Sequence, residues 1–442
     1  MKGEKGFYWQ NWSESVYCEP TDYVEPNNLT ELQAVVRQAY DNDQNIRILG
    51  AGHSFTPLVA TTDTIVTIHH LRGIDHIDHE KHFATVWGGS TLKELGEQLW
   101  EHGYAMENLG DINKQSIAGA VSTGTHGTGM NFGSISTQVV GVTLLLANGE
   151  LLEINEDHSP ELLPAVQLSL GMLGIIVKVT LKVLPAYELE GHSYRLSLDK
   201  SLRQIDHLRK QHRHMELYWF PYTNTVQIKT MNLAKRRRNK KQSKGNNSFK
   251  KLVLENGVFW GMSEVSRLLP KASGIISTIS AAGVPVGSEV RPSHELFITP
   301  RLVKFQEMEY AVPVEKFVHI MREMDATIRD EKFAVHFPIE CRFVHRDNIW
   351  LSPSYERDCA YIAVHMYKGM EFSPYFQALE TIFRRHGGRP HWAKMHTMNS
   401  KALQQAYPQL DNFVALRNKL DEHGIFLNEY TKELFGLKKD GE

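Results

Sequence analysis

Three residues stand out for chemistry: His53 in RILGAGHSFTP, residues 47–57, and Glu340 with Arg342 in IECRF. His53 follows Gly50, Ala51 and Gly52, which close a buried-strand pattern that includes Ile48 and Leu49. The glycines permit a tight bend, and successive backbone N–H groups in such a bend form an anion-binding concavity. An imidazole at its tip reads either as a capping, internally satisfied histidine or as a nucleophile toward an activated methyl group on a bound ring. Glu340 and Arg342 stand two apart on an alternating stretch, so one strand face carries both while Cys341 faces the other way. In an arbitrary strand such a pair is a surface ion pair. Here the apolar flanks HFPI and FVHR favour a pocket.

A second small-residue stretch, SIAGAVSTGTHGTG, contains Ser116, Gly119, Ser122, Thr123, Gly124, His126 and Gly127. A close-packed backbone crossing would explain either glycine stretch alone. Together they suit one long, phosphate-bearing cofactor held between two sub-lobes. The first is not a dinucleotide-binding fingerprint of the GxGxxG kind. Phe55 occupies the third glycine position, and Pro57 opposes the long helix that such a fingerprint requires.

The elements that must position these residues change in character along the chain. Up to Pro185, helices and short strands mix. Leu29, Leu32, Val36 and Ala39 share a helical face with Asn28 or Thr30 as cap. DTIVTIHHL and FATVWGGS read as strands, a helix capped by Thr91 follows, and Asn148-Gly149 between two apolar runs marks a hairpin. After Pro185, long alternating segments predict one large antiparallel sheet: MELYWFPYTNTVQIKTM, FQEMEYAVPVEKFVHIM, AVHFPIECRFVHRDNIWLS and CAYIAVHMYKG. From about His386 the chain reads as helical.

Bulk properties narrow the class. A chain of 442 residues predicts two or three domains. A net charge of −2 gives no global field toward nucleic acid or membrane. Cys18, Cys341 and Cys359 form no CxxC, which predicts reduced thiols in a cytoplasmic protein. The start, MKGEKGFYWQNW, has no apolar leader core, and the apolar runs are too short for a transmembrane segment. The run Lys235 to Lys251 has nine Lys or Arg among 17 residues and reads as a solvated loop rather than a nucleic-acid or membrane site. His69, His70, His76, His79 and His82 match no familiar ligand spacing, so no metal is expected.

The motifs GAGHSF, AMENLGDINKQSIAGAVSTGTHGTG, GMLGIIVKVTL, IECRFVHRDNIWLSPSYERD, GGRPHWAKMH and LDEHGIFLNEY run nearly end to end. In them the chain resembles the FAD-dependent aldonolactone oxidases of the vanillyl-alcohol-oxidase fold, with alditol oxidases as close relatives. The resemblance implies an α+β fold: a two-lobed FAD-binding domain of that type (1–185), a substrate or cap domain with a large antiparallel sheet (186–385), and a C-terminal segment (386–442) returning to the FAD domain.

It also implies FAD tethered covalently through the flavin 8α-methyl to His53. Ile48, Leu49, Gly50, Ala51, Gly52 and Ser54 would hold the cofactor from one side. Ser116, Gly119, Ser122, Thr123, Gly124, His126 and Gly127 would hold it from the other, with the backbone of Ile175 and Ile176 beside it. By the same resemblance Glu340 binds or deprotonates the sugar hydroxyl. Arg342 and Lys394 stabilise negative charge, and His365 reaches the substrate. His391 and Trp392 are wall or packing, Trp392 the latter. The implied reaction oxidises an aldono-1,4-lactone at C2, with hydride passing to FAD N5 and electrons to O2, giving H2O2. The alternatives are an alditol oxidase acting on C1 of linear polyols and a lactone dehydrogenase using another acceptor.

Overall fold

The computed structural model describes residues 7–235, 260–299 and 303–437. The basic run beyond Lys235 lies outside them. In the N-terminal part, the helix Leu29–Asp41 is capped by the Asn28 side chain on Glu31 N–H, and Leu32, Val36 and Ala39 are its buried face. Thr91 and Glu94 form a capping box on the helix Leu92–Glu101. Strands Asp22–Val24, Thr64–Thr67 and Ile46–Leu49 make a small parallel sheet in that spatial order. Beside it, Leu151–Asn155, Val139–Leu145, Ile175–Lys182, Phe83–Trp87 and Ile74–Asp78 form an antiparallel sheet in that order. Asn148-Gly149 turns the expected hairpin, with Gly149 at φ +81°.

The second large element is an eight-stranded antiparallel sheet. Its strands run Gly287–Pro292, Glu188–Ser197, Thr225–Leu233, His214–Trp219, Ile339–Val344, Cys359–Tyr367, Phe305–Pro313 and Arg389–Pro390. Two of the long alternating segments are only partly strand. FQEMEYAVPVEKFVHIM leaves the sheet at Pro313, and Phe317, Ile320, Met321, Met324 and Ile328 then fall at helical spacing on the buried side of Phe317–Glu331. AVHFPIECRFVHRDNIWLS contributes only Ile339–Val344.

The two faces of this sheet differ. Leu217, Val226, Ile228, Ile339, Cys341, Phe343, Ile362 and Val364 point to one side. They join the main core with apolar residues of the helices Leu198–Gln211, Phe317–Glu331 and Ser373–Arg385. Cys341 lies against Met321 there, with sulfur atoms 3.8 Å apart. The other face carries polar and charged residues that are nonetheless buried: Glu216, Glu307, Glu309, Glu340, Arg342 and His365. Burying such groups is costly unless they pair, so their partners define the site.

The last part of the chain packs on the first. Ile46 N–H donates to Ile425 O at 2.6 Å. Asn428 Nδ2 donates to Pro57 O at 2.8 Å and Ala60 O at 2.7 Å.

Candidate active site

The first component is a cleft lined by the Ile48–Ser54 turn, by Gln115, Ser116, Gly119, Ser122 and Thr123, and by Ile175 and Ile176. The turn is held from beneath by Arg47. This fully buried side chain donates to Leu58 O (2.7 Å), Leu170 O (2.9 Å) and Phe426 O. Burial lowers the Arg47 pKa to about 10 despite Asp421. Gly52 sits at φ +66°, a conformation that favours glycine. A Cβ on Gly50 would lie 2.6 Å from Ser116 Oγ, and one on Gly88 would lie 2.3 Å from Ile176 O. The walls therefore approach as closely as backbone allows. Ser116 caps the helix Ile117–Thr123, accepting from Gly119 N–H at 3.3 Å.

Among the described residues, the backbone N–H groups of Ala51, Gly52, His53 and Ser54 have no hydrogen-bond acceptor in the chain. Four successive open donors in a glycine-permitted bend fit the pyrophosphate of a dinucleotide. The FAD expected from the sequence thus meets a suitable cradle.

Three residues assigned to the cofactor from sequence do not line this cleft. Gly124 is the left-handed C-cap of the helix, at φ +74°. Gly127 crosses backbone, since a Cβ there would sit 2.3 Å from Leu109 O. His126 turns toward the large sheet, where its Nε2 is 3.3 Å from Glu309. Its Nδ1 lies 2.9 Å from Gly127 O, and its ring centroid is 3.9 Å from that of Tyr361.

His53 also lines the cleft. Burial, reinforced by Lys394 and Lys114, lowers its pKa to about 4. Its imidazole is neutral at ordinary pH, and among the described residues its ring nitrogens have no hydrogen-bond partner.

The second component is the polar sheet face. Strand register places Tyr218, Glu340, Ala363 and Glu309 in one cross-strand row and Glu216, Arg342 and Tyr361 in the next. As the i, i+2 spacing required, Glu340 and Arg342 share a face, and they are ion-paired. Arg342 also lies 3.2 Å from Asp111 and 3.9 Å from Glu216. Burial opposes its charge, but Glu340, Asp111 and Glu216 raise its pKa well above the usual value. Tyr218 Oη donates at 2.6 Å to Glu216 and lies 3.1 Å from Glu340. Burial first, then Glu216 and Glu340, push the Tyr218 phenol well above its ordinary pKa, so it remains a donor.

The segment His391 to Met395 joins the two components. Phe55 N–H donates to Ala393 O at 2.7 Å and Thr56 Oγ1 to Trp392 O at 3.0 Å, which ties it to the glycine turn. His391 N–H donates to Glu309 O and Met395 N–H to Glu307 O, both at 3.0 Å, which ties it to the sheet. Lys394 lies between, ion-paired with Glu307 and 5.0 Å from the centroid of the Phe55 ring. His365 Nε2 is 3.4 Å from Glu307, so it meets the same network. Trp392 is fully buried against Tyr407 and Phe435.

His126, Glu309 and His391 form a buried group whose ligand-capable atoms lie within 4.8 Å of one another. His391 Nδ1 accepts from Ala393 N–H at 3.1 Å, which leaves Nε2 as the protonated nitrogen of a neutral ring. Burial opposes ionisation of Glu309, but His126, His391 and Lys394 outweigh it and hold the carboxylate below its usual pKa. The cluster is thus a carboxylate held among imidazoles.

Sequence reading missed Arg47, Asp111, Glu216, Tyr218, Glu307 and Glu309. A signal existed for the last four: MELYW and FQEMEY place acidic residues or tyrosine at period two within strands otherwise apolar on the opposite face. Asp111 lies in a loop with no periodicity to mark it.

A glycine-lined cleft with open backbone donors, tied through residues 391–395 and Asp111 to a sheet face that carries a buried carboxylate and guanidinium, fits a flavin-dependent oxidoreductase acting on CH–OH donors. The FAD binding domain family matches residues 20–155, and the D-arabinono-1,4-lactone oxidase family matches residues 179–434. The chain belongs to the D-arabinono-1,4-lactone oxidase family. It is 36% identical over 431 residues to the L-gulono-1,4-lactone dehydrogenase of Mycobacterium tuberculosis, covering 97% of this chain and 99% of that one. It is 32% identical to the L-gulonolactone oxidase of Bos taurus, over 98% of this chain and 100% of the other. Cholesterol oxidase from B. sterolicum has the same fold at 17% identity, with a TM-score of 0.79 over 97% of this chain and 96% of that one. Among the described residues, no helix is long and apolar enough to cross a membrane.

Proposed function

We propose that the protein oxidises an aldono-1,4-lactone at C2, using FAD bound in the Ile48–Ser54 cleft, with Glu340 as the base. The observation that carries this reading is the buried Glu340–Arg342 pair on the sheet face that Asp111 and the Lys394 segment fasten to the cleft. FAD held in that cleft would supply the two-electron acceptor at N5, with O2 as the final oxidant and H2O2 as its product.

The chain's own residues supply the rest. Glu340 accepts the proton of the hydroxyl being oxidised. Tyr218, hydrogen-bonded to it, fixes its orientation. Arg342 stabilises the oxyanion that develops as that proton leaves. Lys394, held by Glu307, adds positive charge beside the cleft, and His365 orients the substrate through the same carboxylate. His53, neutral and in the cleft, would hold the flavin through its 8α-methyl, a link whose formation releases a methyl proton and two electrons that O2 would finally accept. Residues 1–185 with 386–442 form the FAD-holding domain and 186–385 the cap, except that Arg389–Pro390 joins the cap's sheet, in a cytoplasmic protein.

The test is a substrate screen of the purified yellow protein. Gulono-, galactono- and arabinono-lactones are compared with xylitol and sorbitol for peroxide release. A lactone turned over in preference to every polyol supports the reading, whereas a preferred polyol replaces it with alditol oxidation. Lactone oxidation only with an added acceptor, without peroxide, makes the protein a dehydrogenase.

A further inference from the structure

The polar sheet face does not end at Arg342. Its row continues outward through Glu216 to Lys229 and Ser193. The neighbouring row continues from Glu340 through Tyr218 to Gln227. Both run under the segment Pro285–Glu289 into a cavity of about 540 Å³ that Glu216, Gln227 and Lys229 all line. Glu216 therefore belongs to both places, touching the Arg342 cluster and forming part of the cavity wall.

Neither outer residue is used up by the fold. Lys229 Nζ lies 4.6 Å from the centroid of the Tyr218 ring and, among the described residues, has no carboxylate partner. Gln227 donates through Nε2 to Ser193 Oγ at 2.8 Å and Pro285 O at 3.3 Å, and its amide oxygen has no donor among the described residues. The cavity thus offers a cationic donor, an amide acceptor and a carboxylate. That mixture suits hydroxyl groups, which both donate and accept. It does not suit an anionic tail, because Glu216 and Glu289 also line the wall. Lys229 and Arg342 are two strands apart, about 10 Å at the usual strand spacing, within reach of a substituent on a small ring held at Glu340.

We propose that this cavity is a second subsite, in which Lys229 and Gln227 bind the exocyclic hydroxylated chain of the lactone and set the preferred tail length. The assignment rests on the lactone reading above. It is tested by measuring kcat/KM for a six-carbon and a five-carbon aldono-1,4-lactone in the full-length holoprotein and in Lys229→Met, Gln227→Leu and Lys229→Arg. In Lys229→Met the six-carbon to five-carbon preference falls about tenfold, the loss expected for one hydrogen bond from a charged donor, and the change lies mainly in KM. Gln227→Leu moves the ratio in the same direction, and Lys229→Arg restores most of it. Equal losses on both lactones, or an unchanged ratio in both Lys229→Met and Gln227→Leu, overturn the subsite while leaving the lactone reading intact. If the unmodified protein oxidises polyols but no lactone, the lactone reading fails and the subsite falls with it.

Discussion

Arg342 Nη2 lies 3.2 Å from a carboxylate oxygen of Asp111, and this contact fastens the strand bearing Glu340 to the loop that leads into the glycine-lined cleft. The same guanidinium is ion-paired with Glu340 and lies 3.9 Å from Glu216, so one cation sits among three buried carboxylates. Removing it leaves uncompensated charge in a dry site. Arg342→Met is expected to lower unfolding free energy by about 3–5 kcal/mol, read by denaturant titration. Arg342→Lys keeps the charge and most of the stability but lacks the planar fork, and it loses turnover.

His53 is the only link assigned to covalent attachment. His53→Ala should yield protein whose yellow chromophore is released on acid denaturation, whereas in the unsubstituted protein flavin fluorescence stays with the denatured band on a gel. Fluorescence retained by the variant would assign the tether elsewhere.

The cleft walls set a third expectation. Gly88→Ala drives a Cβ to 2.3 Å from the Ile176 carbonyl oxygen, a backbone atom that cannot rotate away. It should destabilise the fold by about 1–3 kcal/mol and weaken flavin retention, because Ile176 lines the cleft. Gly50→Ala meets the Ser116 hydroxyl, a side-chain end that can turn aside at the cost of its cap on Gly119 N–H, so its effect on stability is smaller. Thermal melts with flavin fluorescence as the signal separate the two.

How far the sequence was legible follows from these contacts. Period-two spacing placed Glu340 and Arg342 on one strand face, and the glycines marked the cleft, because both signals are local. Ser116 as a cleft residue and Thr91 as a helix cap were legible for the same reason. Asp111 was not: its meaning comes from a strand far away in sequence, and nothing in its own loop predicts that meeting. His126 was read with its stretch as one unit, whereas the helix ends at Gly124 and the chain then turns toward Glu309. Arg47 sits within a strand pattern that conceals a cation, and its three carbonyl partners come from three separate segments.

Stability should depend on acid in a defined window. Burial lowers the pKa of His336, His391 and His396 to about 4 and of His214 to about 3. The unfolded chain, with histidines near 6.5, binds more protons than the native state between about pH 4 and 6.5, so stability rises with pH there and is fully present above it. Asp347, raised to about 6 by burial, and Asp421, also raised by burial, work in the opposite direction, but they stand against these four histidines and His53, lowered to about 4. The melting temperature should climb from pH 4.5 to 6.5 and level off near pH 7. A flat profile would show that these histidines are solvated.

The central claim, that Glu340 faces the carbon oxidised beside the bound flavin, is tested most directly by anaerobic mixing of the holoprotein with an aldono-1,4-lactone while the yellow absorbance is followed. The unsubstituted protein should bleach in a single turnover. Glu340→Gln should bind the lactone and bleach at least 100-fold more slowly, the usual scale for losing a positioned base. Bleaching by Glu340→Gln at the unsubstituted rate would contradict the account.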